Sequence, residues 1–245
     1  MERRGLSQEG LKIMACITML IDHIGATIVY DLCLGASNHG EAVRVLYNLY
    51  QLLRAVGRLS FPIYCFLLTE GAARTRDPKK YGLRLALGML LAEVPFDLLF
   101  FGGLTWQHQS VMATLLLGFL MIRWMQRMPK LKLVAVIVCA GAAWLLHADY
   151  GWWGIALIAL FALTRETENR TLLQIVGVAA LCWMKGGTMV HIASLQFPLQ
   201  FIGALAMVPI ALYSGRKATS SKAVQWIFYL FYPVHLLALL IVTML

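Results

Sequence analysis

The chain has 245 residues, of which 60% are hydrophobic and 13% are charged. Soluble domains are about 45–50% apolar and about 25% charged, so a soluble fold could not hide this much apolar surface. An ordinary soluble enzyme is therefore excluded. In a soluble protein, the net charge of +9 would suggest binding to nucleic acid. Here Lys and Arg lie between apolar runs, where such residues set the orientation of a membrane protein. We expect the lipid bilayer, and no nucleic acid, among its partners.

Nine apolar runs follow one another along the chain, separated by polar breaks. A helix needs about 20 mostly apolar residues to cross the hydrocarbon core, and most runs approach that length. The sequence therefore predicts an all-α, polytopic membrane helix bundle, folded as a single domain over residues 1–245. The predicted transmembrane helices are Leu11–Tyr30, Arg58–Ala73, Tyr81–Phe101, Ser110–Trp124, Leu131–Leu146, Trp152–Leu163, Leu172–Met184, Phe197–Tyr213 and Ala223–Met244.

The basic residues predict how the bundle is oriented, because cytoplasmic loops carry an excess of Lys and Arg. With the N-terminus inside, only Arg44, Arg54, Arg58 and Lys185 among the 21 Lys and Arg residues fall in outer segments. Nine crossings then place the C-terminus outside.

The longest outer connection, from Asp31 to Gly57, contains an amphipathic stretch over Glu41–Ala55. Its apolar residues recur at helical intervals, which predicts a helix lying at the outer membrane interface. The apolar side would carry Val45, Leu46, Leu49, Leu52 and Leu53, and the polar side Arg44, Asn48, Gln51 and Arg54.

The cysteines are typical of small buried hydrophobic residues. They form no CxxC pair, and four of the five lie within apolar runs, so neither a disulfide framework nor a zinc site is indicated. We predict no metal site. The five are Cys16, Cys33, Cys65, Cys139 and Cys182.

Five ionisable residues fall within predicted membrane helices, where such residues usually face the protein interior and often mark a site. His23 lies about 18 Å into a core of about 30 Å. Its imidazole could be a general base, a nucleophile, a proton carrier or a structural hydrogen-bonding group. The adjacent Asp22 points about 100° away and is expected to anchor its helix to a basic or hydroxyl group. The other three are Glu70, Glu93 and Asp97.

Polar residues from several outer segments should converge on the outward side of His23. Glu93 and Asp97, four residues apart on one helix face, are expected to pair with Arg54 or Arg58. Such a network could be purely structural. The remaining members are His108, Gln109, His147, Asp149, Tyr150 and His191.

The inner loop Arg74–Arg84 concentrates five basic residues. They could bind the phosphates of a cytoplasmic ligand or serve only as orientation signals. Glu70, near the inner end of its helix, is expected to pair with Arg74 four residues later.

Five motifs occur in order along nearly the whole chain: LKIMACITMLIDHIG (Leu11–Gly25), GRLSFPIYCFLLTEGAARTRDPKKYGLRL (Gly57–Leu85), EVPFDL (Glu93–Leu98), DYGWWG (Asp149–Gly154) and FYLFYPVHL (Phe228–Leu236). Together they resemble the TraX family, named for the member that acetylates the N-terminal amine of conjugative F-pilin. That family is similar to the wider transmembrane acyltransferases. The resemblance implies a multi-pass acetyltransferase of the bacterial inner membrane with acetyl-CoA as its donor.

The resemblance also implies roles for individual residues. His23 would be the catalytic residue, as base or as acyl acceptor, with Asp22, Arg58 and Asp149 beside it. The acceptor, a peptide amine or a glycan, would enter from the extracytoplasmic side. Because acetyl-CoA is anionic and cytoplasmic, we expect the basic inner residues Arg74, Lys79, Lys80 and Arg84 to hold it, with Tyr232 and His235 lining its cavity.

Two other functions fit the residues themselves. Intramembrane acids with histidines also form proton relays, so a proton-coupled transporter is one alternative, although the sequence has no evident internal repeat. A noncatalytic membrane scaffold that docks partners on its outer helix is the other. Binding of acetyl-CoA to the purified protein would separate the enzyme from both.

A phosphatase reporter fused after Leu245 tests the predicted orientation. Nine crossings from an inner N-terminus end outside. The phosphatase should therefore be active at Leu245 and inactive when it is fused after Arg76 in the basic inner loop. A cytoplasmic signal at Leu245 would remove one crossing from the prediction.

Overall fold

The computed structural model describes residues 5–36, 40–192, 195–216 and 222–244. Arg3, Arg4 and Lys217, which contributed to the charge count, lie outside these residues. The described chain is helical, apart from one antiparallel hairpin of β1 (Met189–Ile192) and β2 (Leu195–Pro198). The helices are α1 (Gln8–Ile24), α2 (Tyr30–Gly35), α3 (Gly40–Gly57), α4 (Ser60–Arg74), α5 (Pro78–Phe101), α6 (Val111–Arg127), α7 (Lys132–Leu145), α8 (Gly151–Thr164), α9 (Arg170–Lys185), α10 (Met207–Ala211) and α11 (Lys222–Met244).

Three helical stretches in the described part of the chain are long and apolar enough to cross a membrane: Gln8–Gly35, Gly40–Arg74 and Trp226–Met244. By contrast, α7 and α8 have 14 residues each. At 1.5 Å per residue they are about 21 Å long, against a hydrocarbon core of about 30 Å. The helical bundle is therefore confirmed, whereas the nine crossings and their orientation stay predictions.

Rows of apolar side chains point away from the bundle. On α5 one such row combines Leu83, Leu87, Leu90, Leu91 and Val94, each 44–65% exposed. A contiguous apolar surface of this kind is unstable in water and marks contact with lipid or a protein partner. The outward faces of the helices therefore agree with the membrane association that the composition predicts.

The centre of the bundle is α4, which is apolar on every side and is buried by its neighbours. Its Phe61, Ile63 and Leu68 are at most 4% exposed. The helices around it are α1, α6 and α8, and α8 contributes the fully buried Trp153. Residues on one end of α4 consequently reach the site described below, and residues on its other end reach the basic loop.

At that other end, the buried Glu70 carboxylate ties three segments together. Arg74 lies 2.7 Å from it and Arg165, which follows α8, lies 3.0 Å from it. The expected Glu70–Arg74 pair is confirmed, since residues four apart share a helix face. Arg74 also donates to the carbonyl of Gly215.

Two predicted segments differ from the structure. Phe197–Tyr213 begins in β2 and continues as a 3-10 helix over Leu199–Ala206. Its apolar run predicted a helix because periodicity alone cannot tell a short buried strand from a helix. Pro198, which lacks a backbone N–H, stands where the strand ends.

The amphipathic helix predicted over Glu41–Ala55 is present as α3, and one residue of its predicted polar side differs from the prediction. Val45, Leu49 and Leu52 point outward and are exposed, as an apolar side facing lipid would be, whereas Arg54 points inward to a carboxylate of α1. A buried acid draws its basic partner inward whatever the polarity pattern of the helix. Placement of α3 at the outer interface remains a prediction.

Candidate functional site

The centre of the site is a contact between two histidines that are 212 positions apart. His23 Nδ1 lies 2.7 Å from His235 Nε2. The two rings are nearly parallel, at 12°, with centroids 4.9 Å apart. Parallel rings in face contact could not bring two nitrogens so close, so the imidazoles lie edge to edge and share a hydrogen bond.

The partners of His235 assign the protons of this pair. His235 Nδ1 lies 2.8 Å from the carbonyl oxygen of Phe231, which can only accept, so Nδ1 carries the hydrogen. In a neutral pair, His235 Nε2 is then an acceptor and His23 Nδ1 is the donor. The lone pair of His23 is therefore on Nε2, the position that a base or nucleophile uses.

The helix around His23 departs from α geometry. A π-helical turn over Gly25–Val29 follows α1 directly, and the Thr27 hydroxyl donates to the His23 carbonyl at 2.7 Å. Single π turns within helices often occur at functional sites. The apolar pattern of the sequence gives no signal for this turn.

Asp22 anchors α1 to the α3–α4 junction, as its position beside His23 predicts. Its two carboxylate oxygens pair with Arg54 at 2.7 Å and Arg58 at 2.8 Å. Arg58 also donates to Gln200 at 3.3 Å, so the segment after the hairpin joins the same network. The site therefore holds two guanidinium groups against one carboxylate.

A cavity of about 660 Å³, which we call the wide cavity, opens in front of His23. Its size falls within the range of small-molecule pockets, roughly 300–1,000 Å³. Charged and polar groups line it beside His23: Asp22, Arg54, Arg58, His108, Gln109, Asp149, Lys185 and Gln200. Aromatic rings form much of the remaining wall: Tyr30, Tyr50, Phe61, Tyr64, Phe96, Phe100, Phe101 and Tyr150.

The turn between α7 and α8 contributes Asp149 and Tyr150 to this wall. Tyr150 has a φ of 64°, a left-handed conformation that is costly for a residue with a side chain. Its ring stacks on Phe61 with centroids 3.8 Å apart, and its backbone N–H donates to Asp149. Strained backbone of this kind is common at binding sites.

A second cavity, which we call the narrow cavity, follows α1 toward its N-terminus. Its volume is about 150 Å³, yet its wall runs from Gln8 to Met19, about 16 Å along the helix axis, so it is slender. Lys12 and Cys16 share the α1 face that carries Met19 and His23. Opposite them lie Tyr64, Leu68, Tyr81, Phe228, Tyr229 and Tyr232.

The structure places some of the predicted donor-binding residues at the narrow cavity and others away from it. Arg84 lies over the rings of Tyr81 and Tyr229 in the narrow-cavity wall, 5.9 and 5.3 Å from their centroids. Tyr232 lines the same cavity, and its ring centroid is 6.2 Å from that of His23. Arg74 is instead paired with Glu70.

The two lysines of the basic loop are on its surface. Lys79 is exposed, and Lys80 is paired with Asp77 at 3.3 Å. The backbone N–H of Lys80 donates to Asp77 and holds the pKa of that carboxyl below its usual value. Lys12, which sequence reasoning did not select, lines the narrow cavity instead.

The prediction that Glu93 and Asp97 pair with Arg54 or Arg58 is wrong. Glu93 accepts from the backbone N–H of Ser110 at 3.2 and 3.3 Å, and Asp97 accepts from that of Thr105 at 2.9 Å. Both carboxylates therefore hold the loop between α5 and α6, where unpaired N–H groups favour an acid.

The other histidines lie farther from His23. His108 lines the wide cavity and contacts His147, with ring centroids 6.0 Å apart. The side chain of His191 lies outside the described residues. Within the described part of the chain, no group of three or more His, Cys, Asp and Glu residues could hold a metal ion.

Comparisons with known proteins give a family and one similar relative. A family model described as TraX protein matches residues 7–243, which include the histidine pair and the walls of both cavities. A relative from Dichelobacter nodosus, named probable fimbrial assembly protein FimC, serogroup H1, is 27% identical over 240 residues. The match covers 92% of this chain and 91% of the relative. No solved structure matches the chain.

Gly57→Ala tests the anchor between α1 and the α3–α4 junction. A methyl group at Gly57 would overlap the Asp22 side chain, so the substitution should lower the free energy of unfolding by about 1–3 kcal/mol. Thermal unfolding of the purified protein measures this loss. Gly141→Ala is the matched control, because a methyl group there meets no atom within 4 Å. Equal melting temperatures for the two variants would contradict the close packing of Asp22 on Gly57.

Proposed function

Because the chain belongs to the TraX protein family, we propose that it is an acetyl-CoA-dependent acetyltransferase of the bacterial inner membrane. It spans the membrane several times and receives the acetyl group from the cytoplasmic side. It passes this group to an amine or hydroxyl acceptor on the opposite side. The observation that carries the proposal is the His23–His235 pair: His23 lines the wide cavity, and its ring centroid is 6.2 Å from that of Tyr232, which lines the narrow one.

His23 is the base in this proposal. The acceptor nitrogen or oxygen attacks the thioester carbonyl carbon while His23 Nε2 removes its proton. The carbon–sulfur bond then breaks, and the imidazolium returns the proton to the departing CoA sulfur. In a covalent variant, Nε2 itself bonds to the acetyl carbon as the sulfur leaves, and the acceptor then displaces His23. In direct transfer the acceptor's proton passes through His23 to the CoA sulfur. In the covalent variant CoA leaves as a thiolate, and the acceptor releases its proton when it displaces His23, so the overall proton balance is the same.

His235 positions His23 and supports its charge. Its Nε2 accepts from His23 Nδ1 and is held by the contact of its own Nδ1 with the Phe231 carbonyl. When Nε2 of His23 takes up a proton, the Nδ1 hydrogen bond remains and becomes charge-assisted, hence stronger. The pair therefore favours the protonated intermediate that either variant needs.

The narrow cavity is the proposed donor site. A slender, mostly apolar channel fits the extended arm of acetyl-CoA, and Lys12 and Arg84 at its Gln8 end would attract the phosphates. The thioester would then lie near Tyr232, whose hydroxyl could donate to the developing oxyanion.

The wide cavity is the proposed acceptor site. Asp149 would attract an amine, and the aromatic walls would hold an apolar segment or a sugar ring beside it. Arg58, held by Asp22 and Gln200, lines the same cavity. The relative's name as a fimbrial assembly protein supports a surface-appendage subunit as the peptide acceptor.

His23→Ala tests the proposed base. The variant should bind acetyl-CoA but lose acetyl transfer by at least about 10²-fold, the scale of general acid–base catalysis. Transfer from radiolabelled acetyl-CoA to an acceptor peptide measures the loss. His147→Ala is the matched control, because it removes an imidazole that lines neither cavity. Wild-type transfer by folded His23→Ala would overturn the assignment.

The same labelled donor distinguishes the two chemical routes. A label that remains on the wild-type protein, is absent from His23→Ala and is released by hydroxylamine identifies the acyl-imidazole of the covalent variant. An unlabelled protein during rapid turnover favours direct transfer.

Charge reversal at Lys12 and Arg84 tests the proposed donor site. The double variant should bind acetyl-CoA at least about tenfold more weakly, since charge-assisted contacts contribute roughly 1.5–3 kcal/mol each. The loss should be larger at low salt, where phosphate attraction is less screened. Charge reversal at Arg123 and Arg127 changes the net charge equally on α6 and is the control. Equal affinities for the two double variants would place the phosphates elsewhere.

A further inference from the structure

Three residues from three different helices separate the two cavities. Met19 of α1, Tyr64 of α4 and Val111 of α6 each line both the narrow and the wide cavity. We call these three residues the partition. They mark the boundary between the narrow cavity and the part of the wide cavity that His23 lines.

Two members of the partition are held in place. The Tyr64 hydroxyl lies 3.2 Å from the Cys16 sulfur, which fixes its ring across the channel. Val111 is the first residue of α6, and the Glu93 carboxylate holds the backbone of the preceding Ser110. Val111 is also β-branched and therefore stiff. Met19 has the adaptable side chain of the three.

From this arrangement we propose that the partition is an acyl-chain filter: it admits an acetyl group and excludes longer acyl groups. The proposal rests on the function proposed above. It assigns a specificity role to three residues that do not take part in proton transfer or acyl transfer. An acyl group reaches His23 only by fitting between a fixed ring, a stiff branched side chain and one flexible thioether.

The filter has to act at the partition rather than beyond it. The wide cavity, at about 660 Å³, has room for several additional methylene groups beside His23. The narrow cavity has about 150 Å³, already required for the donor arm. Extra atoms are costly in a packed site, and one methylene group changes specificity by about 10–200-fold.

The experiment compares acetyl-, propionyl- and butyryl-CoA as donors. For each, kcat/KM is measured with the wild-type protein and with Val111→Ala and Met19→Ala, which widen the partition. The wild-type protein should use propionyl-CoA at least about tenfold less efficiently than acetyl-CoA. Each widened variant should raise the propionyl-to-acetyl ratio by about tenfold and give measurable transfer from butyryl-CoA.

The control is Leu68→Ala, which shortens a buried side chain that lines the narrow cavity alone. It should leave the propionyl-to-acetyl ratio unchanged, whatever its effect on the separate rates. Val111→Phe provides the converse: it should reduce acetyl transfer by at least about tenfold while acetyl-CoA binding persists. These two variants distinguish a filter from a general effect of altered packing.

The outcomes separate the filter from the proposed function. Equal use of all three donors by the wild-type protein would overturn the filter but leave the acetyltransferase intact. An unchanged ratio in both folded, widened variants would do the same. Absence of transfer from every donor in the wild-type protein would overturn the proposed function, and the filter with it.

Discussion

The site depends on the pairing of Asp22 with Arg54 and Arg58. These ion pairs fix the rotation of α1 against the α3–α4 junction, and His23, the next residue, consequently faces the wide cavity. Gly57 permits the close approach because it has no side chain. Removing one partner from a buried pair typically costs about 3–5 kcal/mol, since the other charge remains buried without compensation. The anchor is therefore a condition for the geometry of the site as well as a source of stability.

The two cavities and the histidine pair form one chemical arrangement. The narrow cavity is apolar and slender, whereas the wide cavity carries charges of both signs and many aromatic rings. A donor and an acceptor of different polarity would therefore approach His23 from opposite directions. The π-helical turn after His23 and the left-handed Tyr150 lie on the wide side, so the irregular backbone is concentrated where the acceptor would bind.

The sequence predicts those features that depend on local spacing or on depth in the membrane. The helical bundle follows from the apolar runs, the Glu70–Arg74 pair from a spacing of four residues, and the anchoring role of Asp22 from its position at membrane depth. The contact of His23 with His235 depends on how α1 and α11 pack, and no local pattern encodes it. Glu93 and Asp97 were assigned to distant arginines because their spacing gives no information on the loop N–H groups that they bind. The hairpin was not predicted: β1 and the start of β2 lie between two apolar runs, and the end of β2 was included in the second run because a short apolar stretch also fits a helical period.

The order of synthesis gives the Asp22 anchor a further consequence. Asp22 leaves the ribosome 32 and 36 residues before its two partners. During insertion it is therefore an unpaired acid, at a cost of about 2.5–3.5 kcal/mol near the middle of a helix. The apolar remainder of Gln8–Gly35 offsets that cost. Once α3 and α4 have been made, Arg54 and Arg58 can pair with the Asp22 carboxylate. The His23–His235 contact spans 212 positions, so it forms only after α11 has been made, well after the Asp22 anchor.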